Sequence, residues 1–299
     1  MYEIVVAINV GIFVLLALSL NIITGYAGQP CLGQAAFFGI GAYTSAVVTT
    51  KLGLSFWLAI PAAGLVAGII GILLGFISLR VRDDFLAITT IGINFVAVAV
   101  FQYVPYLGAA FGMTVKKPMI FGEKMGNIYF LIIVLVLIVG VIYLSKRMEK
   151  SWIGLALCGI RNNTEAAASL GIDVNKFKII AFTIGTMVAG ITGAVYAHYM
   201  SFIYSSDFAF IVSISIMSML VVGGMGTVRG AVIGAIILGL APEVFRFISD
   251  YRMLVYGAIL VIMMRFQPSG LFGDNSILWK KITTSKLNIF KLKEVTRNE

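Results

Sequence analysis

The chain has 299 residues, 60% of them hydrophobic and 12% charged, with a net charge of +9 and a mean hydropathy of +1.01. A soluble domain coats itself with roughly 25% charged residues, so the composition excludes a water-soluble globule and makes lipid the solvent. One histidine, two distant cysteines and no Gly-Lys dipeptide exclude a multi-histidine metal centre, a CxxC pair, a disulfide framework and a phosphate-binding Walker loop on this chain.

Crossing a hydrocarbon core takes roughly 20 apolar residues, wound as helix so that every backbone group is satisfied internally. The apolar runs are continuous rather than alternating, which disfavours a β-barrel. In chain order the candidate spans are residues 4–23, 35–50, 56–79, 85–104, 128–144, 179–199, 208–222, 231–248 and 254–266. The first has no basic stretch before it and no small-x-small cleavage site after it, so it reads as a retained span. The second is short and glycine-rich, and reads either as a full span or as a re-entrant segment. The expected fold is all-α, a polytopic membrane helix bundle of about 8–10 transmembrane or re-entrant helices.

Basic residues orient the bundle, because Lys and Arg concentrate on the cytoplasmic side. Residues 146–178 carry Lys146, Arg147, Lys150, Arg161, Lys176 and Lys178. The tail carries Lys280, Lys281, Lys286, Lys291, Lys293 and Arg297, and a tight turn carries Arg80 and Arg82. All three are placed in the cytoplasm, which leaves the loop 105–127 outside despite Lys116, Lys117 and Lys124. The N-terminus then lies outside if 35–50 is a true span, and inside if it is re-entrant. Residues 1–273 form the membrane domain, including the loop 146–178, and 274–299 a basic cytoplasmic tail. That tail is either held near anionic headgroups or simply fixes topology.

Ionisable groups are nearly absent from the spans. Glu243 and Arg246 stand three apart near the end of one span and are placed to pair. The remaining polar groups are amides and hydroxyls, among them Asn9, Asn21, Asn94, Gln102, Ser213, Ser215 and Ser218. A proton-coupled carrier usually needs a carboxylate or histidine relay, and none is seen. Sodium coupling through carbonyls stays open. Glycines at four-residue spacing (Gly64 and Gly68; Gly71 and Gly75; Gly226, Gly230 and Gly234) suit close helix packing, or helices that move against one another. Two glycine-rich stretches interrupt apolar runs. One runs from Thr24 through Gly25, Gly28, Gln29 and Gln34 to Gly41, the other from Gly223 through Gly224 and Gly226 to Gly230. Broken helices of this kind line translocation paths, although tight turns explain either stretch as well. Asn21, Gly25, Gly28, Gln29, Gln34, Asn94, Gly223, Gly224 and Gly226 are the candidate path residues.

The strongest local signal is Arg161-Asn162-Asn163-Thr164-Glu165-Ala166-Ala167-Ala168-Ser169-Leu170-Gly171. Asn162 and Glu165 have capping-box spacing, and Gly171 suits the left-handed residue that ends a helix. The expectation is a helix of about eight residues, too short to stand alone. It must pack on its own bundle or dock into a cytoplasmic partner.

These residues resemble a known family. Glu165-Ala166-Ala167 with Gly171 resembles the coupling loop of ABC-importer permeases. Gly25-Tyr26-Ala27-Gly28-Gln29, Leu32 to Tyr43, Ala194 to Tyr199, Gly223 to Thr227 and Phe266 to Gly273 together resemble the branched-chain amino-acid permeases, in order along residues 1–273. The likeness is nearest to the M-type permease of that system. Pro30-Cys31 departs from the family pattern, where an apolar residue and Ser are commoner. The resemblance implies a plasma-membrane subunit of a high-affinity importer without an ATPase site of its own. A second permease would complete a heterodimeric pore, two ATPases carrying ATP and Mg would bind below, and an extracytoplasmic protein would deliver substrate. Arg161, Asn162, Asn163, Glu165, Ala166, Ala167, Leu170 and Gly171 would form the ATPase-coupling loop. No cofactor, metal or nucleic acid is expected on this chain. An aliphatic amino acid suits a path with few charges, its zwitterionic end needing only helix termini and amides. Urea or a short amide is the alternative cargo within the family. An ion-coupled carrier and a membrane-embedded enzyme are the competing classes.

Overall fold

The computed structural model describes residues 2–78, 83–120, 123–244 and the positions 257, 258, 261, 265, 270 and 271. Its helices are α1 (Tyr2–Leu20), α2 (Gln34–Thr50), α3 (Phe56–Ser78), α4 (Asp83–Tyr103), α5 (Asn127–Glu149), α6 (Trp152–Asn162), α7 (Thr164–Ser169), α8 (Val174–Met200), α9 (Phe210–Gly223) and α10 (Val228–Val244). Six helical segments among the described residues are long and apolar enough to cross a membrane; α10 contains a shorter apolar helix, and α2 is 17 residues long. Over their described residues, eight of the nine expected spans are thus largely helical. The ninth, the Arg80–Arg82 turn, the Glu243–Arg246 pair and the basic tail lie wholly or largely outside the described residues.

The helix α8 is the central post, with α1, α2 and α3 packed around it. Apolar side chains gain little from leaving lipid for protein, so close packing here depends on small residues. A Cβ on Gly41 of α2 would run into the Gly190 carbonyl of α8, and one on Gly71 of α3 into Thr186. The outward faces of α3, α4 and α5 show large aliphatic residues: Leu65 is 57% exposed, Val96 64% and Val136 65%. That is the surface expected where the solvent is hydrocarbon.

Direction along the bundle follows from neighbours. Gly11 in α1 meets Val134 in α5, far from residues 146–178, while Tyr26 shares a hydrophobic cluster with Met148, Leu157 and Ala181. Thus α1 runs towards the basic end. The chain then turns, and α2 runs back the other way, parallel to α8, with Gly41 beside Gly190 and Ser45 beside His198. The first residue of α2, Gln34, bonds Ser19, about two turns before the helical segment Tyr2–Tyr26 ends. Residues 35–50 therefore start inside the bundle and leave it at the far end. The far end is closed by short 3₁₀ turns and a two-stranded ribbon, β1 (Met113–Thr114) paired antiparallel with β4 (Phe202–Ile203), beside a second small pair, β2 (Met119–Ile120) with β3 (Glu123–Lys124).

Candidate functional site: a junction of two helix breaks

The first break follows α1. Residues Asn21–Tyr26 form a π-helical segment, a wider winding that appears mostly as short interruptions at functional sites. It ends at Gly28, with φ +69°, and the Gln29 N–H reaches back to the Ile23 carbonyl at 3.2 Å. The second break joins α9 to α10, where Gly224 and Gly226 have φ of +121° and +85°. Thr227 Oγ1 donates to the Gly224 carbonyl at 3.2 Å and accepts from the Gly230 N–H at 3.1 Å. This turn fastens the start of α10. Gly223 packs against Gly230 and Gly234 of α10.

The two breaks touch. Asn21 Oδ1 accepts from the Gly226 N–H at 2.8 Å. A Cβ on Gly25 would sit 2.7 Å from that nitrogen, so glycine at 25 leaves room for the approach. Arg161, in the last turn of α6, reaches into the same place and donates from Nη1 to the Gly25 carbonyl at 2.6 Å. Its stem runs past Gly28, where a Cβ would stand 3.1 Å from Arg161 Cγ, and its guanidinium lies against Gly226. Asn21, Gly25, Gly28, Gly226 and Arg161, picked from three separate stretches of sequence, form one junction at the basic end.

Gln29 belongs to the first break and Gly223 and Gly224 to the second, whereas Gln34 and Asn94 lie elsewhere. Gln34 is fully buried and donates to Ser19 Oγ at 2.7 Å. Asn94 is fully buried in α4 and donates to the Phe208 carbonyl at 3.2 Å, while its Oδ1 has no hydrogen-bond partner. One turn earlier on that face, Thr90 Oγ1 accepts from the Leu32 N–H at 3.0 Å. So α4 holds the backbone ahead of α2 and ahead of α9 with two neighbouring side chains. Ser213 of α9 accepts from the Ala35 N–H at 2.9 Å. Ser19 and Thr90 are not singled out by the sequence; their one signal is a hydroxyl inside an apolar run.

Two features of the basic loop differ from expectation. Residues 152–162 are a helix, α6, started by Ser151, whose Oγ accepts from the Gly154 N–H. Its buried residues Ala156, Leu157 and Ile160 lie on one face, a helical spacing that was available in the sequence. Consequently Asn162 is the last residue of α6 rather than a cap. The cap of α7 is Asn163, whose Oδ1 accepts from the N–H groups of Glu165 and Ala166, each at 3.0 Å. Glu165 is then the second residue of α7, one short of capping-box position, and α7 itself is six residues long. Asn163 also ends α6 by donating its N–H to the Gly159 carbonyl, so a single residue hinges the two helices. Gly171 has φ +81° and ends the hairpin. Among the residues of α7 only Ala167 is buried, whereas Glu165, Ala166 and Leu170, the last 82% exposed, face outward.

The junction rests on a small apolar cluster of its own, made by Ile22, Tyr26, Ala27, Met148, Leu157 and Ala181, set apart from the main core. The arrangement suits a mechanical task. A stiff, outward-facing hairpin is seated on two helix breaks and tied to them by one guanidinium. Among the described residues no group of three or more His, Cys, Asp or Glu is placed to hold a metal ion.

Comparison with known proteins bears on what that task is. Residues 4–264 match the family described as branched-chain amino acid transport system / permease component. Over 286 residues the chain is 32% identical to the high-affinity branched-chain amino acid transport system permease protein LivM of Escherichia coli (strain K12), covering 87% of this chain and 67% of that one. It is 25% identical over 291 residues to the probable branched-chain amino acid transport permease protein LivH of Methanocaldococcus jannaschii, covering 91% and 90%. Escherichia coli LivH matches at 25% over 144 residues, covering 48% and 46%. No solved structure matches significantly.

Proposed function

The chain belongs to the branched-chain amino-acid permease family, M-type, and on that premise we propose that it is one half of the pore of an ATP-driven importer. It is a multi-pass protein of the plasma membrane. A second permease of the LivH kind completes the pore, two cytoplasmic ATPases carry ATP and Mg, and an extracytoplasmic binding protein delivers a branched-chain amino acid.

The observation that carries this reading is the hairpin of α6 and α7 on the two helix breaks. An importer chain without a phosphate loop takes its drive from a separate ATPase, and that motor needs a firm grip. Here α7 is capped at one end by Asn163 and closed at the other by Gly171, with Leu170 and Glu165 turned outward. The concentration of Lys and Arg in residues 146–178 supports a cytoplasmic position for it. The scarcity of ionisable groups in the spans supports a cargo with an apolar side chain, since a charged one would need a buried counter-charge.

The test is reconstitution in proteoliposomes of this chain with its companion permease, ATPases and binding protein. Leucine, isoleucine or valine should enter only when ATP and all components are present. Uptake driven by an ion gradient through this chain alone would sink the reading in favour of a secondary carrier. Uptake of urea or acetamide with no response to leucine would keep the machine and replace the cargo.

A further inference from the structure

We infer that Arg161 is the positioning residue through which movement of the α6–α7 hairpin reaches the pore, acting as a latch on the two helix breaks at the cytoplasmic end. The inference rests on the importer reading and adds to it a specific transmission element.

The geometry assigns the part. The two helices of the hairpin share Asn163 as end and beginning, so displacement of α7 is passed to α6 with little slack. The Arg161 side chain links α6 to the first break by a hydrogen bond to the Gly25 carbonyl at 2.6 Å. The same guanidinium lies against the second break at Gly226. Gly226 is in turn held by Asn21. Three glycines make the space: a side chain at Gly25 would block Asn21, and one at Gly28 or Gly226 would strike Arg161. Two of them, Gly28 and Gly226, have positive φ, a conformation that glycine adopts without steric cost. A space cleared at two places for one arginine, beside a third glycine that admits Asn21, is more than packing requires. Withdrawal of α6 would take the donor from Gly25 and the plate from Gly226 together. Both breaks would be freed in one step, at the end where cargo leaves. The guanidinium, with several donors fixed in one plane, suits bonding Gly25 while lying beside Gly226 better than the ammonium of lysine.

The experiment uses the complete complex in proteoliposomes with leucine, and reads ATP hydrolysed per leucine transported. Arg161→Ala should raise that ratio about fivefold, the factor associated with one hydrogen bond, and Arg161→Lys should lie between it and wild type. A ratio unchanged in Arg161→Ala, or both rates falling in parallel, overturns the latch and leaves Arg161 structural. Where Arg161→Ala does not assemble, Gly226→Ala displaces the guanidinium without removing it; a raised ratio supports the latch and a wild-type ratio overturns it. Absence of ATP-driven uptake in the wild-type complex would instead refute the importer reading, so the two failures are told apart.

Discussion

Asn21 and Gly226 are joined by a hydrogen bond of 2.8 Å from the Gly226 N–H to the Asn21 side chain. Asn21 is fully buried, so its loss leaves a backbone donor without its partner. Replacing Asn21 by Leu should destabilise the protein by about 1–3 kcal/mol, the cost of an unsatisfied buried group. The check is a lowered aggregation temperature in detergent. An unchanged aggregation temperature for Asn21→Leu would count against the assignment.

The two neighbouring asparagines of the basic loop should behave differently. Asn163→Ala removes the cap of α7 and should cost about 1 kcal/mol of local stability, whereas Asn162→Ala should be nearly neutral. Gly171→Val should cost about 1–2 kcal/mol, because a β-branched residue resists the left-handed conformation. Uptake by the assembled complex should fall for Asn163→Ala and Gly171→Val with subunit stoichiometry unchanged. Equal uptake for all three variants would remove the docking role of α7.

Opposite ends of the bundle should label from opposite sides. In a background with Cys31 and Cys158 replaced by Ser, Phe111→Cys should react with an impermeant thiol reagent in intact cells, since Phe111 is 87% exposed at the far end. Ser169→Cys should stay unlabelled until the membrane is opened. The reverse pattern would invert the topology.

Glycines should divide by what surrounds them. Gly41→Ala pushes a methyl group into the Gly190 carbonyl, whereas a methyl group at Gly140 meets nothing within 4 Å. Gly41→Ala should cost about 1–3 kcal/mol as overpacking and lower the yield of folded protein; Gly140→Ala should match wild type. Size-exclusion profiles of the two variants in detergent provide the comparison.

Purified alone, the chain should hydrolyse no ATP. Activity that persisted after removal of every partner subunit would overturn the division of labour proposed above.

Much of the fold was legible because apolar length is a strong signal. The ends were less so. Helix α8 starts at Val174, five residues before the apolar run at 179, because Asp173 caps it and accepts from the Lys176 N–H at 3.1 Å. Helix α6 was missed altogether, being an 11-residue helix with one buried face rather than an apolar run, and its absence shifted the cap of α7 by one residue. The candidate site was legible as a set of residue types but not as a place. Nothing in the spacing of Asn21, Arg161 and Gly226 says that they meet, since contacts across 205 and 136 positions are made by the packing of the whole bundle. The direction of α2 was likewise undecidable from its length and composition, and was resolved only by its neighbours on α8.

The separate apolar cluster beneath the junction has a consequence for biogenesis. Its members come from the π-helical segment after α1 and the residue that follows it, the end of α5, the middle of α6 and the first half of α8. Ile22, Tyr26 and Ala27 leave the ribosome more than a hundred residues before Leu157 and Ala181. At about 5–20 residues per second, the last turn of the first span waits several seconds at the membrane surface with its greasy side uncovered. The hairpin cannot seat until α8 begins to emerge. The joint proposed to carry force is therefore among the later parts of the bundle to be completed, and a nascent chain halted near residue 150 would show that uncovered patch to chaperones and proteases.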